Sequence, residues 1–157
     1  MNSSRALVVP LAFAASLGAG CGGDPSSPDH VALAGILEMG DSPARVDIPG
    51  TYSIGEPVTV TVDTYGEWNC TSFGETVVER VSPLVVEVTP VDLYEVLEPG
   101  EACTLRPKDL RHVASISFDR PGEARIVVRG RRLSGGAWYT DAGEEVRVER
   151  TLPLATN

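Results

Sequence analysis

The chain is short of lysine, of histidine and of aromatic rings. Lys108 is its one lysine, His30 and His112 its two histidines, and aromatic residues make up 6% of 157 positions. No glycine-rich loop opens a helix, so no phosphate cradle can be named. No apolar run reaches the ~18 residues that a membrane-spanning helix needs. The net charge of −9 argues against nucleic acid as a partner, because phosphate neutralisation requires clustered cations.

What is present is a globular composition. Hydrophobic residues make up 42% of the chain, too many for a disordered tail, and the length leaves room for one domain. The charge is unevenly placed. From Cys21 to Leu105 there are 15 acids against Arg45 and Arg80, a net of −13; from Arg106 to Asn157 there are 7 acids against 10 bases, a net of +3. The bases of the second part alternate with apolar residues. Strands of the two parts are therefore expected to pair with complementary charge, in preference to a separate basic tail.

The N-terminus reads as an export signal over residues 1–20. Arg5 precedes an apolar stretch from Ala6 to Gly20 that ends in small residues, the layout of a secretory signal peptide. The segment Leu17-Gly18-Ala19-Gly20-Cys21 resembles the lipobox of bacterial lipoproteins, in which the cysteine thiol is acylated and becomes the new N-terminus. The family pattern has leucine three residues before the cysteine, where this chain has Gly18. The resemblance implies lipidation at Cys21; plain cleavage near Ala14 or Ala19 is the alternative. The Gly-Gly-Asp-Pro-Ser-Ser-Pro run after Cys21 has a flexible-linker composition, and residues 21–30 are read as a tether. Gly22, not aspartate, follows Cys21, so the family's inner-membrane retention signal is missing. The implied location is the cell envelope, held by the lipid, at the outer membrane if the cell is Gram-negative.

With Cys21 lipidated, Cys70 and Cys103 remain as an even pair in an oxidising compartment. A bridge between them closes a loop of about 34 residues, worth roughly 3.5–4 kcal/mol on the chain-entropy argument. The rival is a metal site made of Cys70, Cys103 and His112. The nine-residue step from Cys103 to His112 matches no zinc spacing, and Met39, which a copper site would need close by, lies in the N-terminal segment. Neither a metal nor a cofactor is expected.

The remaining chain, residues 31–157, alternates with a period of two, the signature of half-buried strands. Apolar and polar residues alternate over Val58–Asp63, Leu84–Thr89, Ala114–Asp119, Ala124–Arg129 and Val146–Glu149, and weaker strands are expected at Arg45–Ile48 and Thr76–Val81. Val31–Met39 fits either an edge strand or a short helix, with strand preferred. Turn signals such as Pro49-Gly50, Pro99-Gly100 and Pro121-Gly122 separate the runs. About seven strands in one domain is the count of a two-sheet sandwich.

Phe118-Asp119-Arg120-Pro121-Gly122-Glu123-Ala124, leading into Arg125–Val128, resembles the corner between the fifth and sixth strands of bacterial immunoglobulin-like domains. The likeness extends over perhaps 70 residues, Gly55 to Arg131, without that family's corner tyrosine, whose place Ala124 takes. As a whole the chain resembles single-domain lipoproteins of high-GC bacteria, which implies an all-β, immunoglobulin-like two-sheet sandwich and carries no activity with it. In such a sandwich Cys70 falls between the second and third strands and Cys103 between the fourth and fifth, two connections at the same end.

No catalytic residue can be named. His30 and His112 are expected to be solvated, as are Glu67, Glu75 and Glu79. Asn69-Cys70-Thr71 fits the glycosylation sequon, which a bridged cysteine in a bacterial chain makes irrelevant. The aromatic residues are more informative. Tyr65, Trp68 and Phe73 are expected in the connection before the third strand, and Trp138 and Tyr139 in the last connection. Trp68, Phe73, Trp138 and Tyr139 are the candidate binding residues, since loops on a rigid scaffold carry recognition. The competing role is structural, with the tryptophans closing the end of the sandwich over the disulfide. The leading functional reading is a membrane-anchored, non-catalytic envelope module that binds a protein or glycan partner. The second is a hydrolase or periplasmic metal-binding protein whose site is assembled from distant residues. A concave pocket with converging His, Asp or Glu would favour the second, and exposed loop aromatics the first.

Overall fold

The computed structural model describes residues 29–104, 106–133 and 143–155. The signal segment, Cys21, most of the tether, Trp138 and Tyr139 lie outside the described residues. Those described form nine strands and no helix: β1 His30–Ala34, β2 Ile36–Met39, β3 Arg45–Asp47, β4 Pro57–Glu67, β5 Thr71–Ser82, β6 Val85–Glu95, β7 Pro107–Ser117, β8 Glu123–Leu133 and β9 Glu144–Pro153. The described residues are all-β, as the alternation implies, with nine strands in place of about seven. The two additional strands come from the 31–39 segment, which is extended and not helical. It begins at His30, inside the expected tether, because His30 to Ala34 pair with Glu95 to Val91.

The strands make one curled sheet. A hydrogen-bonded path runs β1-β6-β8-β2-β4-β3, with β5 added on β6, β7 on β4 and β9 on β8. The two pairs β6–β8 and β2–β8 are parallel, and the others antiparallel. β6 shares one flank between β8, at Val85–Val88, and β1, at Val91–Glu95. Segment 30–39 thus leaves β6 after Ala34 and continues between β8 and β4.

Gly35 stands at that crossing. Its N–H donates to Pro90 O at 2.8 Å and its carbonyl accepts from Arg131 N at 3.0 Å. A Cβ at this position would collide with Thr64 Cγ2 and lie 2.8 Å from Asp92 Oδ2. The neighbouring strand makes a matching concession at Gly130, where a Cβ would run into the Leu37 side chain. Glycine is required at both points by close approach of backbone.

Alternation sorts each long strand into two faces. Val58, Val60 and Val62 of β4, Val86 and Val88 of β6, Ala114 and Ile116 of β7, Ala124, Ile126 and Val128 of β8 and Val146 and Leu152 of β9 all enter the main core, with Leu37, Tyr52 and Phe118. The Tyr52 and Phe118 rings meet edge to face at 5.2 Å. A smaller cluster of Ile36, Tyr65 and Tyr94 lies toward the other end. On the outer faces the expected charge complementarity appears. Arg111 pairs with Asp63 and Arg129 with Glu87, each at 2.9 Å, and Arg132 pairs with Glu38. Each pair joins a base of the second part to an acid of the first, and exposed pairs of this kind contribute at most about 1 kcal/mol apiece.

Gly35→Ala should lower stability by about 1–3 kcal/mol, the range for overpacking a filled site. Gly50→Ala, where an added Cβ meets nothing within 4 Å, should be close to neutral. Urea unfolding of the two variants checks the contrast, and equal midpoints would mean the crossing tolerates a side chain.

Candidate functional site

The β4–β5 turn is short and heavily tied. Cys70 ends it and is bonded to Cys103, from the irregular stretch between β6 and β7, with the two Cα atoms 5.7 Å apart. Trp68 N donates to Arg106 O at 2.9 Å, Lys108 Nζ donates to Trp68 O at 2.8 Å, and Thr104 N donates to Asn69 Oδ1 at 2.8 Å. Glu95 N donates to Cys70 O at 2.9 Å. Two segments, the stretch 103–108 and the end of β6 at Glu95, therefore hold three consecutive residues.

Trp68 is nonetheless 54% exposed. The Arg106 guanidinium sits 4.6 Å from its ring centroid, a cation–π contact that fixes one face of the indole and leaves the remainder to solvent. Phe73 is also exposed, but it belongs to strand β5 and not to a loop. Tyr65 likewise lies in β4, buried, with Arg45 4.6 Å from its ring and its hydroxyl donating to Pro43 O at 3.4 Å. Of the four candidate binding residues, Trp68 and Phe73 are placed at the surface, and Trp138 and Tyr139 lie outside the described residues.

Glu67 and His112 are buried, against the expectation of solvated side chains; Glu75 and Glu79 are exposed as expected. Glu67 is the last residue of β4, whose last four residues are all buried. Its N–H donates to Thr71 Oγ1 at 2.9 Å, and burial pushes its carboxyl above the usual range. One of its oxygens lies within 4.8 Å of both Cys70 Sγ and Cys103 Sγ.

His112 continues the inward face of β7, two residues before Ala114. Its Nε2 is 2.9 Å from Asp92 Oδ1, and both side chains are closed to solvent. Nδ1 is 3.3 Å from Thr76 Oγ1 on β5, and the Phe73 ring covers the imidazole at 4.7 Å. With Nε2–H donating to Asp92, Nδ1 is left to accept from the Thr76 hydroxyl. Asp92 Oδ2, the oxygen beside Gly35, has no hydrogen-bond partner among the described residues. Farther along β6, Tyr94 is buried with the Arg131 guanidinium 5.3 Å from its ring, and burial, with help from the Asp92 charge, raises the pKa of its phenol.

Hydroxyl, imidazole and carboxylate thus stand in the order of a nucleophile, base and orienting acid. The ring and the carboxylate are sealed, however, and two open depressions of the described surface lie elsewhere. One is lined by Arg80, Ser82, Ser117 and Arg120, the other by Arg45, Thr61, Asp63 and Arg111. Compared with protein-family models, with curated proteins and with solved structures, the chain matches none. Residue roles therefore rest on this geometry.

Sequence reasoning missed the His112–Asp92 pair although a signal for it existed. Extending the Ala114–Ile116 alternation back by one step puts His112 inside, and extending Val86–Val88 forward by two steps does the same for Asp92. Removing one member of a buried pair strands the other without a partner. His112→Ala should accordingly cost about 3–5 kcal/mol, and adding Asp92→Ala should cost less than the two single changes combined. A double-mutant cycle from denaturant melts measures this, and strict additivity would show that the pair is not coupled.

Proposed function

We propose that the chain is a non-catalytic, lipid-anchored module of the bacterial cell envelope that binds a protein or glycan partner through the end of the domain carrying the disulfide. The observation that carries the reading is Trp68, a large aromatic left half in solvent on a turn that is otherwise bound on every side. Tryptophan is among the residues enriched at binding hot spots, and a fixed turn presents it with little ordering left to do on association. Phe73 adds a second exposed ring, on the strand that follows. The lipid anchor rests on the lipobox-like segment ending at Cys21 and the linker composition after it.

An immunoglobulin-like relationship belongs to the same proposal. The β4–β7 pairing, the β8–β9 pairing and the core between these walls support it, while the parallel β6–β8 pair departs from the antiparallel pattern of that family. A hydrolase is the second reading, favoured by the Thr76–His112–Asp92 array. It is the weaker one, because a substrate would first have to displace Phe73 and reach side chains closed to solvent.

Trp68→Ala should leave unfolding within about 1 kcal/mol of the parent, since the ring is half exposed and its cation–π contact contributes ~0.5–1 kcal/mol. The same change should weaken capture of the partner from envelope extracts by ~2 kcal/mol or more. A fall in stability of ~3–5 kcal/mol would instead make the indole a cap over the disulfide. For the anchor, a palmitate analogue should label the wild-type chain in cells and not Cys21→Ser. Equal labelling of both, or of neither, ends that part of the proposal.

A further inference from the structure

The turn that presents Trp68 also gathers three donor atoms of metal-ligand type. A carboxylate oxygen of Glu67 and the sulfurs of Cys70 and Cys103 all lie within 4.8 Å of one another, and no other group of three such side chains converges among the described residues. Glu67 and Cys70 are buried and Cys103 is half-buried. The two sulfurs are joined to each other, so the oxidised chain has no thiolate to give. We propose that the Cys70–Cys103 disulfide is the closed form of a redox-gated cation site. On reduction, the two thiolates and the Glu67 carboxylate would take up a thiophilic divalent cation of the zinc type.

The electrons and protons balance with a dithiol as reductant. Its two thiols become a disulfide, the Cys70–Cys103 bond accepts the two electrons, and two protons pass to the separated sulfurs. Cation binding then expels those two protons, because sulfur coordinates as thiolate. Two thiolates and one carboxylate form a set of mixed softness that suits zinc better than calcium or magnesium, which take oxygen donors. Three anionic donors around one enclosed point repel each other unless a cation lies between them, which gives the site its charge preference.

The movement required is small. A tetrahedral ion with Zn–S bonds of ~2.3 Å sets its two sulfurs about 3.7 Å apart. Cys70 is anchored at the head of β5, with its carbonyl accepting from Glu95 N. Cys103 sits in the irregular stretch between β6 and β7, and of the two sulfurs it is the freer to yield. Three protein ligands leave one tetrahedral position for water or an outside ligand. His112, the third member of the metal set weighed from the sequence, is engaged with Asp92 and does not belong to this cluster.

The test uses the full chain, purified oxidised and after reduction with an excess of a phosphine, with Zn²⁺ and Co²⁺ as probes. One zinc per reduced chain should survive gel filtration, and none per oxidised chain. Cobalt should show thiolate charge-transfer bands and the visible absorption of a tetrahedral ion in the reduced chain alone. Glu67→Gln keeps both cysteines, so its fold is checked in the oxidised form; reduced, it should bind zinc at least tenfold more weakly. Equal zinc in oxidised and reduced chains would place the ion on surface carboxylates and overturn the proposal. So would a reduced chain that holds no zinc, or one that loses its sheet by circular dichroism and does not regain it with the cation. Undiminished binding by Glu67→Gln would overturn it as well, by removing the carboxylate from the ligand set. Partner capture by the oxidised chain is untouched by any of these results, which keeps this test separate from that of the binding surface.

Discussion

The position that most of the structure depends on is Gly35, where three strands approach closer than any side chain permits. The backbone there is bonded to β6 through Pro90 and to β8 through Arg131, while the missing Cβ makes room for Thr64 of β4 and Asp92 of β6. If segment 30–39 stayed on β6, β4 with its partners β3 and β7 would have no strand ladder to β6 or β8, since β2 is what pairs β8 with β4. Two groups of strands would then be joined by the disulfide, by side-chain hydrogen bonds such as His112–Asp92 and Arg80 to Ser117 O, and by packing, with no ladder between them. The crossing converts them into one curled sheet, and it does so by bringing backbone, and not bulk, into the interior.

That crossing also divides the interior into two unlike halves. Toward the Pro57 end of β4 the inward residues are valine, isoleucine, leucine and phenylalanine, nearly all at zero or a few per cent exposure. Toward the Glu67 end they include Thr64, Glu67, Asp92, Tyr94, His112 and Arg131. Burying polar groups is favourable only to the extent that they find partners, and here the partnering is incomplete at Asp92 Oδ2. The polar half accordingly contributes less to stability per residue than the apolar half. It is this half that carries the disulfide, whose loop closure is worth roughly 3.5–4 kcal/mol. The covalent link stands where the hydrophobic effect is weakest.

The strands themselves were legible because alternation is a local signal. Val58-Val60-Val62, Ala114-Ile116-Phe118 and Ala124-Ile126-Val128 point inward as their spacing implies. The partners were not legible, because a strand's neighbour is set by contacts far away in the chain; nothing in Val85–Val88 announces a parallel match to Arg125–Val128. The β4–β5 boundary was misplaced for a different reason. Its turn, Trp68-Asn69-Cys70, holds no glycine or proline, whereas Gly66 and Gly74 lie within strands. Those glycines are dictated by crowding: a Cβ at Gly74 would meet the Val91 carbonyl at 2.5 Å, and one at Gly66 would meet Thr71 at 2.8 Å. Alternation is clear only as far as Asp63 and again from Thr76, so Tyr65 and Phe73 are expected in a connection, whereas they lie in β4 and β5. Glu67 is buried where a solvated face is expected because four consecutive buried residues break the period on which that assignment rests.

The Trp68 turn is the place where these constraints meet the proposed functions. Its rigidity comes from the disulfide and from hydrogen bonds that reach it from Arg106, Lys108 and Thr104. All three of those residues follow Cys103 directly in the chain. Opening the bridge would therefore free the same stretch that holds the indole, since its hydrogen bonds alone would have to offset the regained chain entropy. A cation bound by Cys70, Cys103 and Glu67 would restore the tie in a different geometry. On that reasoning the binding surface and the cation site are two readouts of one covalent bond, with the Trp68 orientation set by whether the sulfurs face each other or a metal. The apolar half of the domain takes no part in this, and its own core, which extends from Val58 to Leu152, is what would keep the fold intact while the other end changes state.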